Sequence, residues 1–275
     1  MQERSPIGIF DSGYGGLTVL KDIKALLPDY DYLYLGDNAR APYGNRSFDT
    51  VYEYTLQCVQ WFFKQGCELV ILACNTASAK ALRTIQQKYL PEIDPQKRVL
   101  GVIRPTSEVI GNYSPKRNIG ILGTKGTILS GSYTIEIEKF FPEVKLYQHS
   151  CPMWVPLIEN NEYESEGAQY FIEKDIKELL SQSAEIDCIL LACTHYPLLI
   201  NEIKKFIPSS IQLISQGEIV AKALKDYLIR NKEMEAKISK GKTIKFYTTD
   251  SVSEFNSQSL KFYGESVSAN HALIT

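Results

Sequence analysis

Leu69-Val70-Ile71-Leu72-Ala73-Cys74-Asn75-Thr76 decides the reading of the fold, because Leu72-Ala73-Cys74-Asn75-Thr76 is echoed far downstream by Leu191-Ala192-Cys193-Thr194-His195. In each case a short apolar run ends on a cysteine and then on small polar side chains. Runs of this length read as buried strands of a mostly parallel sheet. A second echo precedes each cysteine: Ile7-Gly8-Ile9 before Phe10-Asp11-Ser12-Gly13, and Ile119-Gly120-Ile121 before Leu122-Gly123-Thr124. Nearly equal intervals separate Ile7 from Cys74 and Ile119 from Cys193, which suggests two related halves, each with one cysteine at a strand end.

Outward from these runs, strands are expected at residues 6–10, 32–35, 69–73, 99–103, 118–122, 144–147, 186–192, 212–214 and 243–247. Helix-length segments alternate with them. Residues 48–65 carry Val51, Tyr54, Thr55, Cys58 and Phe62 at helical spacing, and residues 169–180 do the same. This alternation is the signature of a doubly wound α/β architecture. The last sixty or so residues break the symmetry, since a polar, Lys-rich stretch (230–242) leads into a strand and Ser251 and Glu254 are spaced as a capping box. We expect this segment to return to the first domain, giving residues 1–104 plus 217–275 as one discontinuous α/β domain and 105–216 as the second.

Composition bounds the function. The 275 residues suffice for two cores. Lys+Arg (30) and Asp+Glu (32) nearly balance, which gives no electrostatic case for nucleic acid. The apolar runs are too short to span a bilayer and the first residues lack a signal-peptide core, so no membrane partner and a cytoplasmic location are expected. In a reducing compartment the six cysteines read as thiols.

Ligands of open α/β sheets collect at the carboxyl ends of strands. The informative stretches all fall there: Asp11-Ser12-Gly13-Tyr14-Gly15-Gly16, Gly36-Asp37-Asn38-Ala39-Arg40-Ala41-Pro42-Tyr43-Gly44, Cys74-Asn75-Thr76, Gly123-Thr124 and Cys193-Thr194-His195. The glycine cluster is not a dinucleotide fingerprint, because Thr18 stands where the last glycine belongs, and Gly241-Lys242-Thr243 has Ala236 where a P-loop needs glycine. A tight strand-to-helix turn accounts for the cluster equally well. Small hydroxyl and amide residues beside free N–H groups also suit a carboxylate ligand.

A thiol beside a helix N-terminus is favoured as thiolate relative to the free value of about 8.5, and both Cys74 and Cys193 are expected to sit in such a place. Inverting a Cα centre needs a base and an acid on opposite faces, which two strand ends across a cleft could supply. The plain alternative, a small buried hydrophobe, is accepted for Cys58, Cys67 and Cys188. A zinc site of Cys74, Cys193 and His195 fits no standard ligand spacing. His195 could orient its neighbour, whereas His149 and His271 read as surface or structural. Asp11 could hold an ammonium group, tune a thiol or simply cap a helix.

The stretches Gly8-Ile9-Phe10-Asp11-Ser12-Gly13-Tyr14-Gly15-Gly16-Leu17-Thr18-Val19, Gly36 to Gly44, Ala73-Cys74-Asn75-Thr76-Ala77-Ser78, Cys151-Pro152 with Val155-Pro156-Leu157-Ile158-Glu159, and Leu191 to Leu198 together resemble the glutamate racemases of the aspartate/glutamate racemase superfamily. The resemblance runs over nearly the whole chain. It implies two pseudo-symmetric, doubly wound, flavodoxin-like parallel-sheet domains with the active site in the cleft between them. It implies cofactor-independent interconversion of L- and D-glutamate, for bacterial peptidoglycan, with Cys74 facing the proton of the D-enantiomer and Cys193 that of the L-enantiomer. Asp11, Glu159 and His195 are the implied auxiliary groups. Asp11, Ser12, Pro42, Tyr43, Gly44, Asn75, Thr76, Thr124, Thr194 and His195 are the implied glutamate contacts. Neither pyridoxal phosphate nor a metal is implied, and assembly as a homodimer is left open.

Two departures stand at the expected domain crossovers: Arg104-Pro105-Thr106 where many members carry Glu-Pro-Gly, and Ser215-Gln216-Gly217 where they carry an Asp-Ser-type pair. They bear on hinge behaviour and regulation more than on chemistry. An aspartate racemase differs by one methylene of substrate, worth about 1–3 kcal/mol of discrimination. A two-domain amino-acid-binding protein without chemistry, and a thiol redox or zinc protein, are the readings from other classes.

Overall fold

The computed structural model describes residues 4–274. Ten strands form two sheets: β1 (Ile7–Asp11), β2 (Tyr32–Gly36), β3 (Leu69–Leu72), β4 (Arg98–Gly101), β5 (Asn118–Gly123), β6 (Lys145–Ser150), β7 (Cys188–Ala192), β8 (Gln212–Ile214), β9 (Ile244–Thr248) and β10 (Ala269–His271). The larger sheet runs β10-β9-β2-β1-β3-β4 and the smaller β6-β5-β7-β8, with every paired strand parallel. Read from the β4 edge, the first four strands of the larger sheet stand in the order 4-3-1-2, and the smaller sheet repeats it as 8-7-5-6. The repeat legible in the sequence is therefore a repeat of topology, with β3 and β7 each hydrogen-bonded to the central strand of its sheet.

The strands are buried because helices cover both faces of a parallel sheet. The helix Phe48–Lys64, capped by Ser47 Oγ accepting from the Thr50 N–H, turns Val51, Cys58, Val59 and Phe62 inward. The helix Glu166–Leu180, capped in the same way by Ser165, turns Ala168, Ile172, Ile176 and Leu179 against the smaller sheet. The helix Gly217–Arg230 lies along the helix Gly16–Leu26, so that Leu17, Leu20, Val220 and Leu224 share one core. Each such fully buried side chain contributes about 1.5–3 kcal/mol. Beyond it the chain supplies β9 and β10 to the larger sheet.

Several expectations need correction. The strand expected at 99–103 stops at Gly101, and Ile103 opens the helix Ile103–Ser107; Pro105 fits within its first turn, where N–H groups have no helical partner. The 230–242 stretch includes a short helix, Lys232–Lys237. Only half of the capping box forms: Ser251 Oγ accepts from the Glu254 N–H at 3.2 Å, while Glu254 Oε1 accepts from Gln258 Nε2 at 3.0 Å. Among the described residues no helix is long and apolar enough to cross a membrane. All six cysteines are free and buried.

Candidate active site

Cys74 follows β3 and caps the helix Asn75–Lys80, its Sγ accepting from the Ala77 N–H at 3.5 Å. Ser12, at the end of β1, places its hydroxyl 3.4 Å from the same sulfur. Burial and the neighbouring Asp11 carboxylate push the Cys74 thiol up to about 12, against the pull of Ser12 and the Ala77 N–H. The expected helix-terminus thiolate is thus overturned at Cys74: the cap exists, but it does not outweigh desolvation.

Cys193 follows β7 and meets no α-helix N-terminus; the next element is a 3₁₀ turn, Tyr196–Leu199. Its charged neighbour is a side chain instead. His195 Nδ1 lies 4.0 Å from Cys193 Sγ, and His195 Nε2 lies 2.9 Å from Glu159 Oε1. Burial pushes the imidazole down, but its hydrogen bonds to Cys193 and Glu159 prevail and hold it at about 10, so the ring keeps its proton at neutral pH.

Asp11 stands behind both groups. Its Oδ2 accepts from the Gly13 N–H at 2.9 Å and its Oδ1 from the Thr194 hydroxyl at 3.3 Å. Burial raises its pKa, although the His195 charge and the Gly13 and Gly16 N–H groups oppose this.

Both thiols line one cavity of about 50 Å³, together with Ser12, Pro42, Tyr43, Gly44, Asn75, Thr76, Thr124, Glu159, Thr194 and His195. Asp11 is the one residue named from the sequence that does not line it. Asn45, Lys125, Cys151, Pro152, Val155 and Pro156 line it without having been singled out as contacts, although they adjoin residues that were. The lining is polar. The buried amide Nδ2 of Asn75 has no hydrogen-bond partner among the described residues, and the hydroxyls of Thr76 and Thr124 share a hydrogen bond at 2.9 Å. Tyr43 offers its ring, since its hydroxyl donates to Asp37.

The walls meet closely. A Cβ at Gly15 would collide with Thr194 Oγ1 and His195 Nδ1, and one at Gly44 would lie 2.9 Å from Thr124 Cβ. Glycine at these points lets backbone approach side chain across the cleft. The zinc alternative gains nothing: among the described residues, Cys74, Cys193 and His195 do not bring three donor atoms close enough to share one ion. A larger cavity of about 570 Å³, beside Arg104 and Tyr227, contains neither thiol.

The two sequence departures meet each other. Gln216 Nε2 donates to Thr106 Oγ1 at 2.8 Å and to the Tyr133 hydroxyl at 2.7 Å, and that hydroxyl donates to Asn75 Oδ1 at 2.7 Å. A buried polar chain thus runs from both departures to the residue beside Cys74.

The sequence profile of the family described as Asp/Glu/Hydantoin racemase matches residues 10–224. The chain is 40% identical over 223 residues to the glutamate racemase of Aquifex aeolicus, covering 81% of this chain and 83% of that one. Its fold is similar to that of a glutamate racemase isoform from Bacillus anthracis, with TM-score 0.88, 31% identity and 98% of each chain covered. It is also similar to the glutamate racemase of Francisella tularensis, solved in complex with D-glutamate, with TM-score 0.85, 30% identity and 98% of each chain covered.

Proposed function

The chain belongs to the Asp/Glu/Hydantoin racemase family, and from that premise we propose that it racemises glutamate with Cys74 and Cys193 as paired acid and base. The observation that carries this reading is the enclosure of two thiols from equivalent strand ends in one small polar cavity. With Cys74 held as a neutral thiol, the L-to-D direction runs as follows. The Cys193 sulfur takes the Cα proton and forms an S–H bond, while Cys74 gives its proton to the opposite face of the planar carbanion. The reverse direction uses the same two groups with their roles exchanged.

His195 and Glu159 place a positive charge beside Cys193, and Asp11 acts through Thr194 and Cys74 as a positioning residue. The free amide N–H of Asn75 and the hydroxyls of Ser12, Thr76 and Thr124 suit the carboxylates of the substrate, and Lys125 is the only Lys or Arg among the described residues of the lining. Without a group to delocalise the carbanion, fixed donors in a cleft closed to water must lower the barrier. We take the domains as residues 1–104 plus 217–275 and 105–216, whose parting would admit the substrate to so small a cavity. The product, D-glutamate, fits use in bacterial cell-wall peptidoglycan.

The test is incubation of the chain with each enantiomer of glutamate and of aspartate in D₂O without added cofactor. Loss of optical activity with glutamate, with early deuterium mainly in the inverted product, is expected. Rapid exchange into recovered substrate without inversion would indicate a single base, and turnover of aspartate in preference to glutamate would reassign the substrate.

A further inference from the structure

A second cluster of reactive side chains lies outside the acid–base pair. His149 lies near the end of β6, and Cys151 follows two positions on, just past the strand. The helix Glu166–Leu180 packs against that strand, and Asp175 and Glu178, three positions apart, share one helix face. His149 Nε2 lies 3.1 Å from Asp175 Oδ1 and 3.6 Å from Glu178 Oε2. Donor atoms of His149, Cys151 and Asp175 all fall within 4.8 Å of one another.

Hydrogen bonding leaves this cluster unbalanced. Asp175 is 5% exposed, and among the described residues its Oδ2 has no nitrogen or oxygen donor, the neighbouring Cys151 thiol being the one group placed to donate to this carboxylate. A buried carboxylate oxygen held by no more than a thiol is costly, so its retention calls for an explanation. A single imidazole nitrogen, able to carry one proton, faces two carboxylates. Lys174, 3.9 Å from Glu178 on the half-exposed helix surface, meets only the outer carboxylate.

We propose that His149, Cys151 and Asp175 form a binding site for a divalent transition metal of the zinc class, separate from the reacting thiols, with Glu178 at its outer edge. One nitrogen, one sulfur and one oxygen make a three-donor set suited to zinc, with the fourth tetrahedral position left for solvent or Glu178, whereas magnesium and calcium call for oxygen alone. Bond lengths of about 2.0–2.3 Å ask the cluster to tighten around the ion by roughly an ångström. The Cys151 thiol loses its proton to solvent as the sulfur–metal bond forms, with no change of oxidation state. The strand-end turn bearing Cys151 also lines the thiol cavity, and the Cys151 carbonyl accepts from the Tyr196 hydroxyl at 3.0 Å. An ion here would therefore stiffen one wall of the cavity.

The test uses the metal-free full chain titrated with Zn²⁺ alone against a chromophoric indicator, and with Co²⁺ for its spectrum. One Zn²⁺ per chain is expected, with His149→Gln and Asp175→Asn each weakening binding by about tenfold or more. A sulfur-to-cobalt absorption band should persist in Cys74→Ala and Cys193→Ala and vanish in Cys151→Ser. Should Cys151→Ser fail to fold by circular dichroism, the near-isosteric Asp175→Asn decides. Lack of stoichiometric binding, binding that survives both His149→Gln and Asp175→Asn, or binding lost with Cys74 or Cys193 would overturn the proposal.

Discussion

Cys74 leaves β3 into a helix, with the Ala77 N–H facing its sulfur and the Ser12 hydroxyl 3.4 Å away. Cys193 leaves β7 into a 3₁₀ turn, with the His195 imidazole 4.0 Å away and Glu159 behind that ring. The two sulfurs occupy one position in a repeated strand order, yet one meets neutral donors and a buried carboxylate while the other meets a cation. Backbone repetition secures where the groups stand; local side chains give each its own polar partners. For a reaction whose two directions are mirror images, the frame is symmetric and the polar surroundings of the two sulfurs are not.

The most direct way to break this comparison is to remove each sulfur in turn. Cys74→Ala and Cys193→Ala should each lose at least roughly 10²–10⁴-fold in racemisation, followed by polarimetry, with the far-ultraviolet circular dichroism retained. Full turnover in either variant would end the two-thiol account. A smaller effect comes from crowding one side only. Gly15→Ala drives a methyl into Thr194 and His195 and should cost about 10²-fold in kcat/KM, a magnitude typical of ångström-scale misplacement. Gly44→Ala, whose Cβ meets Thr124 at 2.9 Å, should cost less, and equal losses would mean that the imidazole side has no special sensitivity.

The finest distinction is in pH dependence. His195 holds its proton up to about 10 with Glu159 as a partner, so activity that needs the imidazolium falls as pH rises through that value. Glu159→Gln weakens this hold, lowers the imidazole pKa and should move the alkaline limb of kcat/KM to lower pH. Enantiomers have equal free energy, which forces the same kcat/KM in both directions, so the limb must move equally for L- and D-glutamate. An unmoved limb would show that the proton on His195 is not what serves Cys193.

How much was legible follows from where each signal resides. β3 and β7 are buried along their whole length, so their apolar runs stood out, whereas β10, three residues with two exposed, had no periodicity to show. The strand-end rule found both cysteines and Asn75, Thr76, Thr194 and His195, because these follow the runs directly. Glu159 lacked any such local marker and came only through resemblance. The thiolate expectation failed at Cys74 because a pattern shows a helix start but not the depth of burial, and the helix N-terminus expected beside Cys193 does not form. The Gln216–Tyr133–Asn75 chain was beyond reach, since its partners are separated by 83 and 58 positions.

That chain has a consequence for inheritance. Thr106 and Gln216 sit at opposite ends of the expected second domain, yet they share a hydrogen bond at 2.8 Å. Residues bonded in one buried network couple by about 0.5–3 kcal/mol, so a change at either position carries a penalty that a matching change at the other relieves. A chimera exchanging this segment with a relative should therefore treat the two junctions as one locus.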